Sequence, residues 1–141
     1  MNIKSGTNKY MFLGATCNGI IALSHIGCII FGEAWYRFLG AGEKMAQMAE
    51  KGMAYPTVIT SIITVIFIIW MLYALSGTGL IPKLPLLRTG LSIITAIYIG
   101  RGIFFFLLMP YFPGNSILFW IVSSAICLII GIIHLLGLTQ L

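Results

Sequence analysis

Polar and apolar positions in this chain do not alternate; they come in blocks. Four long apolar stretches run from about Tyr10 to Gly32, Pro56 to Leu80, Leu86 to Met109 and Ser116 to Leu138. Each contains the roughly 20 residues that a helix needs to cross a hydrocarbon core about 30 Å thick. Isoleucine runs such as Ile62-Ile63 and Ile129-Ile130 would favour strands in water. At this length in an apolar solvent the backbone must satisfy its own hydrogen bonds, which selects helix.

Local punctuation supports the same division. Pro56 sits where a second helix begins, Ser76-Gly77-Thr78-Gly79 closes it, and Pro82 and Pro85 make a tight turn into the third. Pro110 ends the third, Pro113-Gly114 forms a short connection, and Asn115 or Ser116 caps the fourth. The two short connections predict that helices two, three and four are antiparallel neighbours. The expected fold is an all-α membrane protein. It is a compact four-transmembrane-helix bundle forming one domain over 1–141, with helices at about 10–32, 56–80, 86–109 and 116–138. The first stretch lacks Lys, Arg, Asp and Glu, exceeds a signal-peptide core and is followed by no A-x-A site, so it reads as a retained helix.

The outer connection, 33–55, is different in kind. It holds all three acids, Glu33, Glu43 and Glu50, beside Arg37, Lys44 and Lys51. Glu43 to Gly52 predicts a short amphipathic helix with Met45, Met48 and Ala49 on one face, either lying on the membrane surface or closing the bundle as a lid. Lys4, Lys9, Lys83 and Arg88 fall at the opposite end without an acid, so the positive-inside rule places both termini in the cytoplasm. Trp35, Tyr36, Tyr55, Tyr111 and Trp120 then gather near the outer interface.

Composition agrees with this reading. The chain is 60% hydrophobic and 8% charged, with mean hydropathy +1.06. A soluble domain carries about a quarter charged residues. The net charge of +5 comes from residues scattered through loops and helix ends, which suits membrane edges and excludes a basic nucleic-acid surface. Cys17, Cys28 and Cys127 lie inside apolar stretches. Cys17 and Cys28 are separated by a helical rise of about 16 Å, too far for a disulfide. No C-x-x-C is present, and packing is the expected role of all three.

Helices in lipid associate through small residues. Ser24-Cys28-Gly32, Ser92-Ala96-Gly100 and Ser123-Cys127-Gly131 repeat such residues every fourth position. Helix two offers Thr57, Thr60, Ser61 and Thr64 instead, whose hydroxyls can bond their own helix.

Ionisable groups at membrane depth are costly and need a partner or a purpose. His25 and Arg101 lie inside the apolar stretches, and Glu33 marks the outer end of the first. Helical rise puts His25 about 12 Å before Glu33 and Arg101 a similar distance before Met109, so all three share the outer half. Asn18 and His25 share a helix face, with Tyr36 near it, and Tyr98 lies within one turn of Arg101. Turned inward, Arg101, His25, Glu33, Asn18, Tyr98 and Tyr36 would enclose a polar binding pocket beneath the outer connection. Arg101 would supply a fixed cation, Glu33 its counter-ion and His25 a titratable or hydrogen-bonding group. Arg101 also has two structural readings: a side chain snorkelling to headgroups, or an ion pair with Glu33 that locks two helices. His134, near the cytoplasmic end of the fourth helix, reads as interfacial.

His25 and His134 lie towards opposite faces and cannot share a haem or metal, and no H-E-x-x-H, G-x-S-x-G or phosphate-binding loop is present. No cofactor or metal is expected, and no catalytic residue is assigned. The segment from His25 to Glu43, containing Gly32-Glu33-Ala34-Trp35-Tyr36-Arg37-Phe38-Leu39-Gly40-Ala41-Gly42, resembles small four-helix membrane proteins of bacteria. The helix plan is loosely similar to the DoxX-like group of inner-membrane proteins. That resemblance implies a bacterial inner-membrane location and an accessory role in the envelope. Small multidrug transporters share only helix count and size, because the embedded residue of the first helix here is His25. The expected partners are the lipid bilayer and a lipophilic or anionic amphiphile or membrane protein, with self-association also open. A non-enzymatic binding protein is favoured over an enzyme acting on a lipid or quinone, and over a small dimeric transporter.

Overall fold

A computed structural model describes residues 6–141; Lys4, counted above on the basic side, lies outside them. The described residues form helices and no strand: α1 (Lys9–Phe31), α2 (Glu33–Phe38), α3 (Glu43–Glu50), α4 (Ala54–Thr78), α5 (Leu87–Ile103) and α6 (Ile117–Leu138). By length and composition α1, α4 and α6 can each cross a membrane. The fourth candidate is a broken one, because α5 and the 3-10 turns that follow it meet at 74°.

The third span was expected to reach Met109, but α5 stops at Ile103. The chain then makes 3-10 turns at Phe105–Leu107 and Met109–Tyr111. Pro110 stands at the start of the second turn, where a missing N–H costs nothing. It therefore initiates a new turn rather than terminating the old helix.

Side chains fix one end of α1, α6 and α4. Asn8 caps α1 by accepting from the Met11 N–H at 3.1 Å, and its own Nδ2 donates to the Gly137 carbonyl at 2.7 Å. Ser116 caps α6 by accepting from the Phe119 N–H. Beyond α4, the Ser76 hydroxyl donates to the Pro82 carbonyl at 2.9 Å and accepts from the Leu84 N–H at 3.0 Å, which folds the turn back on its helix.

The helices pack as two principal pairs, α1 with α4 and α5 with α6, joined mainly through α1 and α6. The expectation that helices two, three and four are neighbours holds closely for α5 and α6, while α4 and α5 touch only lightly. Large apolar residues of α4, including Val58, Ile62, Val65 and Ile69, remain exposed on its outer side. Such a continuous apolar face is stable only against apolar surroundings.

The small-residue ladders share the packing unequally. Gly131 lies where an added Cβ would sit 2.7 Å from Ile99 Cγ1, so α6 and α5 are in near-backbone contact there. The α5 ladder faces outward instead: Ser92 and Ala96 are exposed and Gly100 has open space around it.

The connection over 33–55, expected on the outer side, contains two short helices rather than one. Gly32, at φ 78°, breaks the chain after α1, and α2 begins at once. Ala46 of α3 is fully buried against Cys28 and Tyr36, with Met45 and Ala49 beside them. Of the two readings of this segment, the geometry is that of a lid.

The glycine environments give opposite expectations for one substitution. Gly131→Ala should lower stability by about 1–3 kcal/mol through overpacking. Gly100→Ala should leave stability unchanged or raise it by up to about 1 kcal/mol through helix propensity. Thermal unfolding of the purified variants in detergent compares the two directly.

Candidate functional site

Three environments in the bundle hold the polar groups that the sequence singles out, His25 excepted. The first is at its centre. Asn18 is fully buried, and its Oδ1 accepts from the Tyr98 hydroxyl at 2.5 Å. Its Nδ2 lies 3.1 Å from His134 Nε2, and His134 Nδ1 lies 2.8 Å from the Ile130 carbonyl. A carbonyl only accepts, so His134 Nδ1 carries the proton and donates it, leaving Nε2 to accept from the Asn18 amide. One directed series of hydrogen bonds thereby ties α5 to α1 and α1 to α6. Rings extend it sideways: His134 stacks on Tyr98, Tyr98 meets Trp70 edge-on, and Trp70 meets Phe67 in the same way.

His134 thus differs from its expected interfacial role, since it is wholly buried. Distance from the helix end alone points to the interface, because it carries no information on which neighbour the ring meets. What settles its position is the antiparallel pairing of α1 and α6, in which the His134 ring lies over Gly14 and beside Asn18.

The second environment is the lid formed by α2 and α3. Arg37 gathers every acid in the chain: Glu33 at 3.2 Å, Glu43 at 2.9 Å and Glu50 at 3.5 Å. These pairs are well exposed, so each is weak alone; their value lies in holding α2 and α3 together as one network. The hydrogen bonds from Arg37 hold the Glu43 carboxyl below its ordinary range, and the same pairing raises the Arg37 guanidinium above its own. Tyr36 points the other way from this helix, and its buried hydroxyl shares a 2.9 Å hydrogen bond with Thr60 of α4.

The third environment surrounds Arg101. Its Nη1 donates to Ser124 Oγ at 3.1 Å and its Nη2 to Ser123 Oγ at 3.2 Å. The guanidinium carbon lies 5.2 Å from the centre of the buried Trp120 ring, at cation–π distance. Among the described residues no carboxylate pairs with it. The expected Arg101–Glu33 counter-ion pair is therefore replaced: Glu33 goes to Arg37, and Arg101 turns to α6. Two of the five guanidinium N–H groups are used by the serines, leaving donors for a further acceptor. Ser124 lies about 10 Å along α6 from its N-terminal end, so this cation is sunk well below the lid.

His25 takes no part in that arrangement. Its Nδ1 donates to the Ile21 carbonyl at 2.8 Å, and its ring stacks on Phe67 of α4 at 5.3 Å. The six expected site residues thus divide among separate places. Asn18 joins Tyr98, Glu33 joins Arg37, Tyr36 joins Thr60, His25 joins Phe67, and Arg101 joins Trp120, Ser123 and Ser124, none of which was expected in the site. Trp120, Ser123 and Ser124 carry a legible signal even so, since their spacing puts an indole and two hydroxyls on one helical face.

An apolar groove of about 440 Å³ borders this third environment, lined by Phe38, Leu39, Phe119, Val122, Ser123 and Ile126 among others. Ser123 is common to both, because it lines the groove while accepting from Arg101. Another groove, of about 500 Å³, lies between α3 and the 3-10 turns, with Met45, Met48 and Met53 along it. Comparison with family models, curated proteins and solved structures finds no match to this chain.

Two measurements probe these environments. Tyr98→Phe strands Asn18 Oδ1 without a donor and should cost about 1–3 kcal/mol in detergent unfolding. The lid network should depend on acid. Because the Glu43 carboxyl titrates lower in the folded chain, its contribution is complete above the ordinary carboxylate pKa of about 4.3 and is lost as pH falls through the folded value. Amide exchange across 43–50 should therefore accelerate at pH 3 relative to pH 7 after correction for intrinsic rates. Arg37→Gln should give the fast pattern at both.

Proposed function

We propose that this chain is a four-span integral protein of a bacterial inner membrane. In this reading it binds an anionic amphiphile of the outer leaflet and supports the envelope as a non-enzymatic accessory. The observation that carries the reading is Arg101: a sunken cation held by two neutral hydroxyls and an indole face, without a carboxylate, beside an apolar groove. A structural ion pair would consume its charge within the chain, whereas here spare donors and net charge remain for an external anion.

The membrane setting draws support from three or four helices of sufficient length and apolarity. Cytoplasmic termini draw support from Lys9, Lys83 and Arg88 at the end opposite the lid, where no acid occurs. The resemblance of the His25–Glu43 segment supports the bacterial inner membrane. The alternative of an enzyme using His25 as acid or base beside an anion on Arg101 has less support, because these side chains face different helices.

The test is lipid retention by purified protein, read by native mass spectrometry from detergent micelles doped equally with phosphatidylglycerol and phosphatidylcholine. Wild-type protein should retain the anionic lipid preferentially. Arg101→Gln should reduce that preference about tenfold or more, as expected for hydrogen bonds to a charged group worth about 1.5–3 kcal/mol. Equal retention of both lipids by the wild type would sink the proposal.

A further inference from the structure

The long helices do not offer a membrane equal lengths of apolar surface. α6 runs for 22 residues without Lys, Arg, Asp or Glu, about 33 Å along its axis. Ile117 and Leu118 in its first turn are exposed, so its apolar surface begins at the lid-side end. α5 has only 17 residues. Arg88 and Arg101 bracket its apolar part and stand about 20 Å apart along the axis, against a hydrocarbon core about 30 Å thick.

The shortfall lies on the lid side. Gly102 packs on α6 where an added Cβ would sit 3.0 Å from the Leu128 backbone nitrogen. Leu128 is about 16 Å along α6 from Ile117, so α5 ends roughly midway along its partner. Arg101 already extends towards the lid to reach Ser123 and Ser124. Its guanidinium still stops about 10 Å short of the end of α6, so snorkelling does not close the gap.

The break at the end of α5 points the same way. The Phe104 N–H makes the last bond of the helix, to the Gly100 carbonyl. Among the described residues, the carbonyls of Arg101, Gly102 and Ile103 accept no hydrogen bond, and the N–H groups of Phe105 and Phe106 donate none. Hydrocarbon offers no partner to such groups, and irregular backbone at membrane depth needs protein or water around it. Phe104, Phe106 and Leu107 are exposed about the break, and the 3-10 turns leave α5 at 74°. A segment turned across its span in this way, apolar side chains outward, suits an interface between acyl chains and water.

We infer that the bundle thins the membrane beside α5. The lid-side headgroup layer descends to the break, its water meets the free backbone groups, and the side chains of Phe104, Phe106 and Leu107 rest on the lowered acyl boundary. Thinning is how a bilayer accommodates a span shorter than its core. The partner of this surface is the phospholipid layer as a whole. The thinning rests on the membrane-spanning reading above and not on the charge of a bound lipid.

Cysteine labelling in bilayers tests the thinning. Cys17, Cys28 and Cys127 are replaced by alanine, and one cysteine is returned as Phe104→Cys or Ile126→Cys. Phe104 and Ile126 are similarly exposed, and the pairing of Gly102 with Leu128 puts them at one depth. Each variant is reconstituted in phosphatidylcholine vesicles with a charged, membrane-impermeant maleimide on both faces. The maleimide reacts with the thiolate, which needs water, so Phe104→Cys should react at least about tenfold faster than Ile126→Cys. Equally slow reaction at both sites overturns the thinning and leaves the membrane-spanning reading standing. Equally fast reaction at both overturns that reading and the thinning with it. Hydrogen exchange of the unsubstituted chain in phosphatidylcholine nanodiscs gives a second measurement should the cysteine-free chain fail to fold. The Phe105 and Phe106 amides have no hydrogen bond to protect them. They should exchange within about tenfold of their intrinsic rates. Stronger protection means that lipid keeps water from the break, and overturns the thinning.

Discussion

Asn18 has no contact with solvent, yet its side-chain amide has donors and an acceptor that must be matched inside the protein. Tyr98 supplies the proton for its oxygen and His134 the lone pair for its nitrogen. Those partners come from α5 and α6, so the amide can be satisfied only when three helices stand in one register. Apolar contacts alone would let the helices slide, because lipid tails compete equally well for leucine and isoleucine surface. A buried amide with two specific partners removes that freedom, since every misaligned arrangement leaves a polar group unsatisfied. The stacking of His134 on Tyr98 and the contact of Tyr98 with Trp70 carry the same alignment to α4.

The two intramolecular arginine environments show what the bundle does with positive charge. Arg37 sits in the lid and is surrounded by all three carboxylates. Arg101 lies deeper and receives only hydroxyls and an aromatic face. Glu33 was close enough in sequence depth to serve either, and its position four residues before Arg37 on α2 decides the matter. A local pair within one helix needs no tertiary assembly, whereas pairing with Arg101 would have required bridging from α2 to α5. The outcome concentrates negative charge at the surface and leaves the sunken cation available.

Much of the architecture is written plainly in the sequence. Apolar block length defines α1, α4 and α6, and Asn8, Ser116 and Gly79 mark ends that local rules can find. What local rules miss is tertiary. The break after Ile103 has Gly100 and Gly102 in its own turn, but glycine is frequent in membrane helices and marks no end by itself, and Pro110 pointed to a later end. The polar stripe of Asn18 and His25 was real as a spacing, but a helix face wide enough to include both meets two different neighbours. Asn18 therefore turns to α5 and α6 while His25 turns to α4. Arg101 was identifiable from its depth alone. Its partners were not, because serines every few residues are common in apolar helices, and only the pairing of α5 with α6 selects Ser123 and Ser124.

The cap on α1 has a consequence for how the chain is assembled. Asn8 closes the first helix, and its remaining amide hydrogen bonds to Gly137, 129 residues away. Asn18 likewise waits for His134, across 116 residues. During synthesis α1 emerges before α6, so both asparagines at first lack their final partners. Until then the earliest helix must keep those amides against water, headgroups or an insertion factor. Polar closure of α1 therefore waits on α6, and a nascent chain holding only α1 to α5 retains an open seam along α1.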